Sequence, residues 1–189
     1  MHYVLGGIAG RVILEGARVE ESWWSGHLLD DPPVSPLEFL VDPETDIAPA
    51  SIYGGLIPLW SDAVVSAVRA AGVDNIHVYP ASLQDPRTGT EWPYWAVNVL
   101  GVVTAIDLER SGVKGPPDQR GDLFLDQVVL DAAGAAPFSL FRLAEALDVV
   151  LVDERVRRSL ELSGLADLRF APVGIPEDDG RPMARTATP

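Results

Sequence analysis

The residue types that usually carry catalysis are scattered along this sequence, and their spacing does not match any common catalytic or metal-binding motif. The three histidines, His2, His27 and His77, stand apart from one another and lack the paired spacing of a metal site. No serine lies in a Gly-x-Ser-x-Gly turn, so a serine nucleophile is not indicated. The chain has no cysteine, which excludes thiol nucleophiles, zinc–thiolate sites and disulfides. We therefore predict no catalytic residue, no metal ligand and no cofactor.

Two carboxylates form the most site-like pair in the chain. Asp107 and Glu109 are two residues apart at the end of a predicted strand, where alternate side chains share one face. Charged residues are also common at strand ends without any function. A small enzyme or ligand-binding domain is the alternative hypothesis, with its pocket near the ends of the central strands. That pocket would be lined by Trp92, Tyr94, Asp107 and Arg142.

The segment over 61–108 contains the elements that would position these residues. Ser61 is a typical N-cap residue, and Val64 and Val68 behind it repeat at helical spacing. Gly72 suits the left-handed conformation that often ends a helix. A strand over 76–79 follows, and we expect it to end or become an edge at Pro80. The next strand, over 94–109, is antiparallel to it and carries a bulge at Gly101.

The other elements follow from apolar periodicity and turn residues. We predict two strands paired across a glycine-rich turn in residues 1–19, a strand at PLEFLV and another over 122–131. A strand near Leu140 is expected to turn helical at Ala144. The run Val149–Val152 is a buried strand, and Asp153 caps a helix that leads by a parallel crossover to the strand LRFAPV. The fold class is α+β: a single domain with a mixed, mostly antiparallel sheet and two or three packed helices.

Charge is the compositional outlier. The chain has 28 acidic and 14 basic residues, a net charge of −14. Residues 1–60 hold nine of the acids and only two of the bases. Such a surface repels nucleic acid and anionic membranes and attracts basic proteins, although solubility alone would also account for it. The N-terminus lacks a signal-peptide pattern and no run is long enough to span a bilayer, so we expect a cytoplasmic protein.

Two tryptophans lie within the acidic, proline-rich N-terminal part. They are either half-buried against the domain or exposed as anchors for a protein partner, since tryptophan is enriched at binding hot spots. On the second interpretation, charge reversal of the nearby acids should slow the association of a basic partner. The predicted contact residues are Glu20, Glu21, Trp23, Trp24, Asp30 and Asp31.

Several segments together resemble a known family. They are AAGVDNI, HVYPASL, YWAVNVLG, IDLERS, LFRLAEA and VVLVDERVRRSLELSGLADLRFAPV, in this order over 58–173. The chain resembles immunity protein eleven of bacterial polymorphic toxin systems. The resemblance implies a non-enzymatic protein that binds a cognate toxin stoichiometrically and blocks it. The charge favours a basic toxin. A housekeeping scaffold is a further alternative.

The resemblance also suggests a domain organisation. We expect one domain over 1–173, made of a variable acidic part over 1–57 and a family-like core over 58–173. Residues 174–189 contain few apolar side chains and are predicted to form a flexible tail.

Overall fold

The computed structural model describes residues 1–7, 12–14, 21–34, 36–42, 49–107, 110–111, 129–135 and 137–173 of the 189. For residues 12–14, 21 and 132 it describes the backbone alone. The strand predicted over 122–131 is described only from residue 129 onward. The tail predicted over 174–189 lies outside the described residues.

Within these residues the chain forms eleven strands and three helices. The strands are β1 (His2–Gly6), β2 (Val12–Leu14), β3 (Leu37–Val41), β4 (Ile52–Tyr53), β5 (Leu59–Trp60), β6 (Ile76–Gln84), β7 (Glu91–Val99), β8 (Val102–Val103), β9 (Leu140–Leu143), β10 (Ala146–Asp153) and β11 (Arg169–Val173). The helices are α1 (Asp62–Ala70), α2 (Ala132–Ala135) and α3 (Glu154–Leu162), and a 3₁₀ turn spans Glu21–Trp24. None of the helices in the described part of the chain has the length and apolar character that crossing a bilayer requires.

The strands are divided between two mixed sheets. The five-stranded sheet has the order β11-β1-β10-β9-β8, and the six-stranded sheet has the order β2-β3-β6-β7-β5-β4. Two pairings, β3 with β6 and β8 with β9, are parallel, and the other pairings in the described chain are antiparallel. The predicted α+β class is confirmed.

The two longer helices begin where their capping residues predict. Ser61 has the extended backbone of an N-cap before α1, whose Val64, Val65 and Val68 are buried, and Gly72 follows the helix with φ of +80°. The Asp153 carboxylate accepts a hydrogen bond from the Val156 N–H at 2.9 Å and so caps α3. Both helices therefore follow from local sequence.

Strand β6 is longer than predicted, because Pro80 does not end it. The parallel partner β3 pairs with β6 only over Ala81–Gln84. Pro80 therefore lies where β6 has a neighbour on one side only, which is where a residue without an N–H is tolerated. On its other side β6 pairs with β7 along its whole length.

Gly101 does not form the bulge predicted within one long strand. The chain leaves the six-stranded sheet after Val99, and β8 joins the five-stranded sheet instead. Gly101 lies between them with φ of +127°, a conformation that favours glycine. Its carbonyl accepts a hydrogen bond from the Arg142 N–H at 3.1 Å. Gly101 is thus the corner between the sheets.

Two further sequence predictions are wrong. Strands β1 and β2 do not pair with each other, because β1 lies in the five-stranded sheet and β2 in the six-stranded one. The chain does not become helical at Ala144: residues 144–145 form a tight turn, and Leu143 pairs with Ala146 across it.

The crossover from β10 through α3 to β11 is parallel as predicted, but β1 lies between those two strands.

The alternating side chains of β7 belong to two different cores. Val97 and Val99 join the central core, which lies between the two sheets and includes residues of α1 and α3. Tyr94 and Ala96 belong to a second core on the opposite face of the six-stranded sheet. A third core covers the outer face of the five-stranded sheet, around Phe141 and Leu151.

Candidate functional site

The acidic N-terminal segment lies on the second core. Trp23 is 6% exposed and packs edge-on against Tyr79, with ring centroids 5.4 Å apart. Leu29 is buried in the same cluster, and the His27 carbonyl accepts a hydrogen bond from the Asn98 side chain at 2.8 Å. The segment therefore covers this face of the six-stranded sheet, and Trp23 offers a partner little surface.

The other residues predicted for toxin contact are less enclosed. Trp24 is half-buried beside the second core, while Asp30 and Asp31 are exposed. Glu21 lies in the 3₁₀ turn, but its side chain is not described, and Glu20 lies outside the described residues. The charged part of this predicted surface is thus solvent-facing where the structure describes it.

The four residues of the alternative pocket serve different parts of the fold. Trp92 is half-buried against the second core, and the buried Tyr94 hydroxyl donates to the Ala50 carbonyl at 2.5 Å. Burial raises the pKa of Tyr94, so this phenol is a neutral donor. The Asp107 carboxylate accepts from the Arg110 N–H at 2.9 Å in a turn. Glu109, its predicted neighbour in a site, lies outside the described residues.

Arg142 is fully buried on the inner side of the five-stranded sheet. Its guanidinium donates to the Leu147 carbonyl and, at 3.2 Å, to the Leu56 carbonyl, so it joins the β9–β10 hairpin to a loop of the other sheet. Burial lowers the pKa of Arg142, and the nearby Asp148 acts in the opposite direction. The contacts of Arg142 are those of a structural residue.

A large cavity of about 1370 Å³ opens beside α3. None of the four residues above lines it, although two of its lining residues, Arg110 and Val129, are hydrogen-bonded to Asp107. Its wall includes His2, Arg110, Glu154, Arg155 and Arg158. Most of these groups already have a partner: His2 contacts the Phe138 carbonyl at 3.0 Å, and Arg158 pairs with Glu154 at 2.8 Å. Within the described chain, no group of three or more His, Asp or Glu side chains is placed to hold a metal ion.

One half of the inner face of the six-stranded sheet is not covered by the central core. Ile76 and Val78 of β6 pack in that core, but Pro80, Ser82 and Gln84 continue the same face toward solvent. The register places Ser82 between Glu38 of β3 and Pro93 of β7. We call this surface the acidic sheet face: Glu38, Asp62, Pro80, Ser82, Glu91, Pro93 and Trp95.

The three carboxylates of the acidic sheet face are exposed. No Lys or Arg in the described part of the chain forms an ion pair with Glu38, Asp62 or Glu91. Asp62 is nevertheless held in place, because the Trp95 indole N–H donates to its Oδ1 at 3.0 Å. The face is therefore negative and partly preorganised.

A groove of about 640 Å³ runs over this face. Its volume is within the range of roughly 300–1,000 Å³ typical of ligand clefts. No Lys or Arg is among the described residues that line it. They are Pro36, Asp62, Pro80, Ala81, Ser82, Glu91, Pro93, Tyr94 and Trp95.

The acidic sheet face was not predicted from the sequence. Glu38, Asp62 and Glu91 come from β3, α1 and β7, and only the pairing of distant strands brings them together. A signal was present in β6, where the inward-facing positions change from Ile76 and Val78 to Pro80 and Ser82. Such a change in one strand indicates that the apolar layer covering it ends there.

Comparison with known proteins does not add to this picture. No protein-family model matches the chain, and no curated protein matches it. The resemblance to immunity protein eleven therefore stays a prediction.

Proposed function

We propose that this chain is an immunity-type inhibitor, which binds a basic protein toxin in a stoichiometric complex and performs no chemistry of its own. The observation that supports the proposal is the acidic sheet face. It combines carboxylates that form no ion pair with another described residue, a groove with exposed prolines, and a half-buried tryptophan. Apolar contacts surrounded by uncompensated charge suit a protein partner of opposite charge.

The net charge supports the same function. A chain of net charge −14 attracts a basic partner over long distances and raises the rate of productive encounter, most strongly at low salt. An inhibitor must capture its toxin before the toxin reaches its target, so fast association is directly useful. Catalysis would need converging polar groups in a cleft, whereas the carboxylates of the acidic sheet face are spread over an exposed surface.

The test is protection against a toxin domain encoded next to this chain's reading frame. The two are co-expressed in a bacterial host, and survival and formation of a 1:1 complex are measured. We expect survival with the chain and death without it. A chain that neither binds such a toxin nor protects against it would contradict the proposal.

Two charge-matched variants locate the contact. E38Q/D62N/E91Q neutralises the acidic sheet face, and D30N/D31N/D74N neutralises three exposed acids elsewhere, so that each changes the net charge from −14 to −11. We expect the first to lower the association rate constant about ten-fold at low salt and the second to change it far less. A stronger effect of the second variant would instead place the contact near Asp30, Asp31 or Asp74.

A further inference from the structure

We propose that the groove of the acidic sheet face receives an extended basic segment of the partner, with two cationic side chains separated by three residues. This inference rests on the proposed function, because it uses the same surface. It specifies which part of the toxin is bound and how far apart the two cationic side chains of that part lie.

The first cation site is at Asp62. One oxygen of its carboxylate accepts the Trp95 indole N–H at 3.0 Å, and the second has no hydrogen-bond partner within the described residues. A guanidinium or ammonium group pairs well with such a fixed carboxylate, and the adjacent indole ring adds a cation–π surface. The D62N substitution would keep the side-chain oxygen that accepts the Trp95 indole N–H and would remove only the negative charge.

The second cation site is at Glu91. This residue is exposed and forms no ion pair within the described chain, and it lines the same groove as Asp62. Glu91 and Trp95 are four residues apart on β7, which separates their backbones by about 13 Å at roughly 3.3 Å per residue. Because the Asp62 carboxylate is held by the Trp95 indole, we take the Trp95 end of the groove as the first site and assign the two cations to positions i and i+4 of an extended chain.

The floor between the sites suits an extended backbone. Pro80 and Pro93 are exposed on neighbouring strands, and both lack an N–H, so the floor presents apolar rings. Little polar surface is desolvated when a chain lies over it. A helix would span the same two sites only with cations about nine residues apart, at roughly 1.5 Å per residue.

The test uses two peptides of identical composition and charge. Arg–Ser–Val–Ser–Arg carries the two cations at the proposed spacing, whereas Arg–Arg–Ser–Val–Ser carries them side by side. Each is titrated at low salt into the isotope-labelled chain, and the indole N–H signal of Trp95, assigned with the W95F variant, is followed by NMR. We expect saturable shifts and about three-fold tighter binding of the spaced peptide, as for one additional exposed ion pair.

Three variants make the result specific. D62N and E91Q should each remove the preference for the spaced peptide, while D74N, at an exposed acid outside the groove, should leave both titrations unchanged. Equal affinity for the two peptides in the unaltered chain, or an unchanged preference in D62N, would overturn the inference. If the chain protects against the toxin but shows no preference for the spaced peptide, the proposed function stands and the proposed binding mode in the groove is refuted. If it prefers the spaced peptide but does not protect, the proposed function is refuted and the cation spacing of the groove stands.

Discussion

Arg142 shows how one side chain joins the two sheets. It is a fully buried cation with no carboxylate of the described chain within ion-pair distance, and its partners are the carbonyls of Leu147 and Leu56. Burying a charge is costly, and the lowered pKa of Arg142 reflects that cost. The two carbonyls keep a charged donor only while the guanidinium remains between them. Its contribution to stability is therefore the balance of these opposed terms.

We expect R142M to lower the free energy of unfolding by about 1–3 kcal/mol, because the partly buried carbonyls of Leu147 and Leu56 lose a charged donor. The shift of the urea midpoint measures it. R69M is the control, since Arg69 is exposed on α1 and has no described ion pair. The free energy of unfolding of R69M should stay within about 0.5 kcal/mol of that of the parent. An R142M chain as stable as the parent would show that desolvation of the guanidinium outweighs its hydrogen bonds.

At the scale of single elements, helix α3 is held by charges within its own turns. Glu154 accepts hydrogen bonds from Arg157 at 2.9 Å and from Arg158 at 2.8 Å, and Arg157 also lies over the Tyr3 ring. These bonds, led by those from Arg157, lower the pKa of Glu154 to about 2. Arg157 and Arg158 thus stabilise the helix locally.

This network makes the stability of the chain depend on pH. Because the folded pKa of Glu154 lies below its unfolded value of 4.5, its stabilisation is complete above that value and is lost as pH falls toward 2. The stability difference between the parent and E154Q should therefore be constant near neutral pH and shrink between about pH 5 and pH 2. Urea unfolding across this range measures it.

The control for this prediction is E91Q, because Glu91 has no described ion pair. A plot of the free energy of unfolding of E91Q against pH should run parallel to that of the parent over the same range of pH. If the E154Q difference stayed constant down to pH 2, the described network would not be what stabilises the ionised Glu154.

The elements that could be predicted are those specified by neighbouring residues. Helix α1 follows from Ser61, the valine spacing and Gly72, and α3 follows from Asp153 in the same way. The turn at 144–145 was missed, because Ala144 and Glu145 favour a helix and only the pairing of Leu143 with Ala146 overrides them. Strand partners are set by distant residues, which is also why the acidic sheet face could not be read from the sequence.

At the scale of the whole molecule, one glycine carries the chain from one sheet to the other. Gly101 has φ of +127°, and a side chain there would meet the Asn75 amide nitrogen only at an ordinary 3.7 Å. Backbone strain, and not lack of space, should therefore decide the effect of a substitution.

We expect G101A to lower the melting temperature by roughly 5 °C, which corresponds to about 1–3 kcal/mol of backbone strain in a chain of this size. G54A is the control. No atom of the described residues lies within 4 Å of the position its side chain would occupy, and its backbone does not have a positive φ, so its melting temperature should be unchanged or slightly higher. Thermal unfolding followed by circular dichroism measures both. Equal melting temperatures for the two variants would show that residue 101 tolerates an L side chain.

The position of β1 between β10 and β11 has a consequence for synthesis on the ribosome. Within the described chain, β1 pairs with β10 and β11, which are made about 150 residues later, with Asp153 opposite His2 on one side and Val173 on the other. A nascent chain must therefore keep β1 unpaired until nearly all of residues 1–173 have emerged. A prematurely terminated product ending before β10 would expose both edges of that strand and be an immediate substrate for chaperones and proteases.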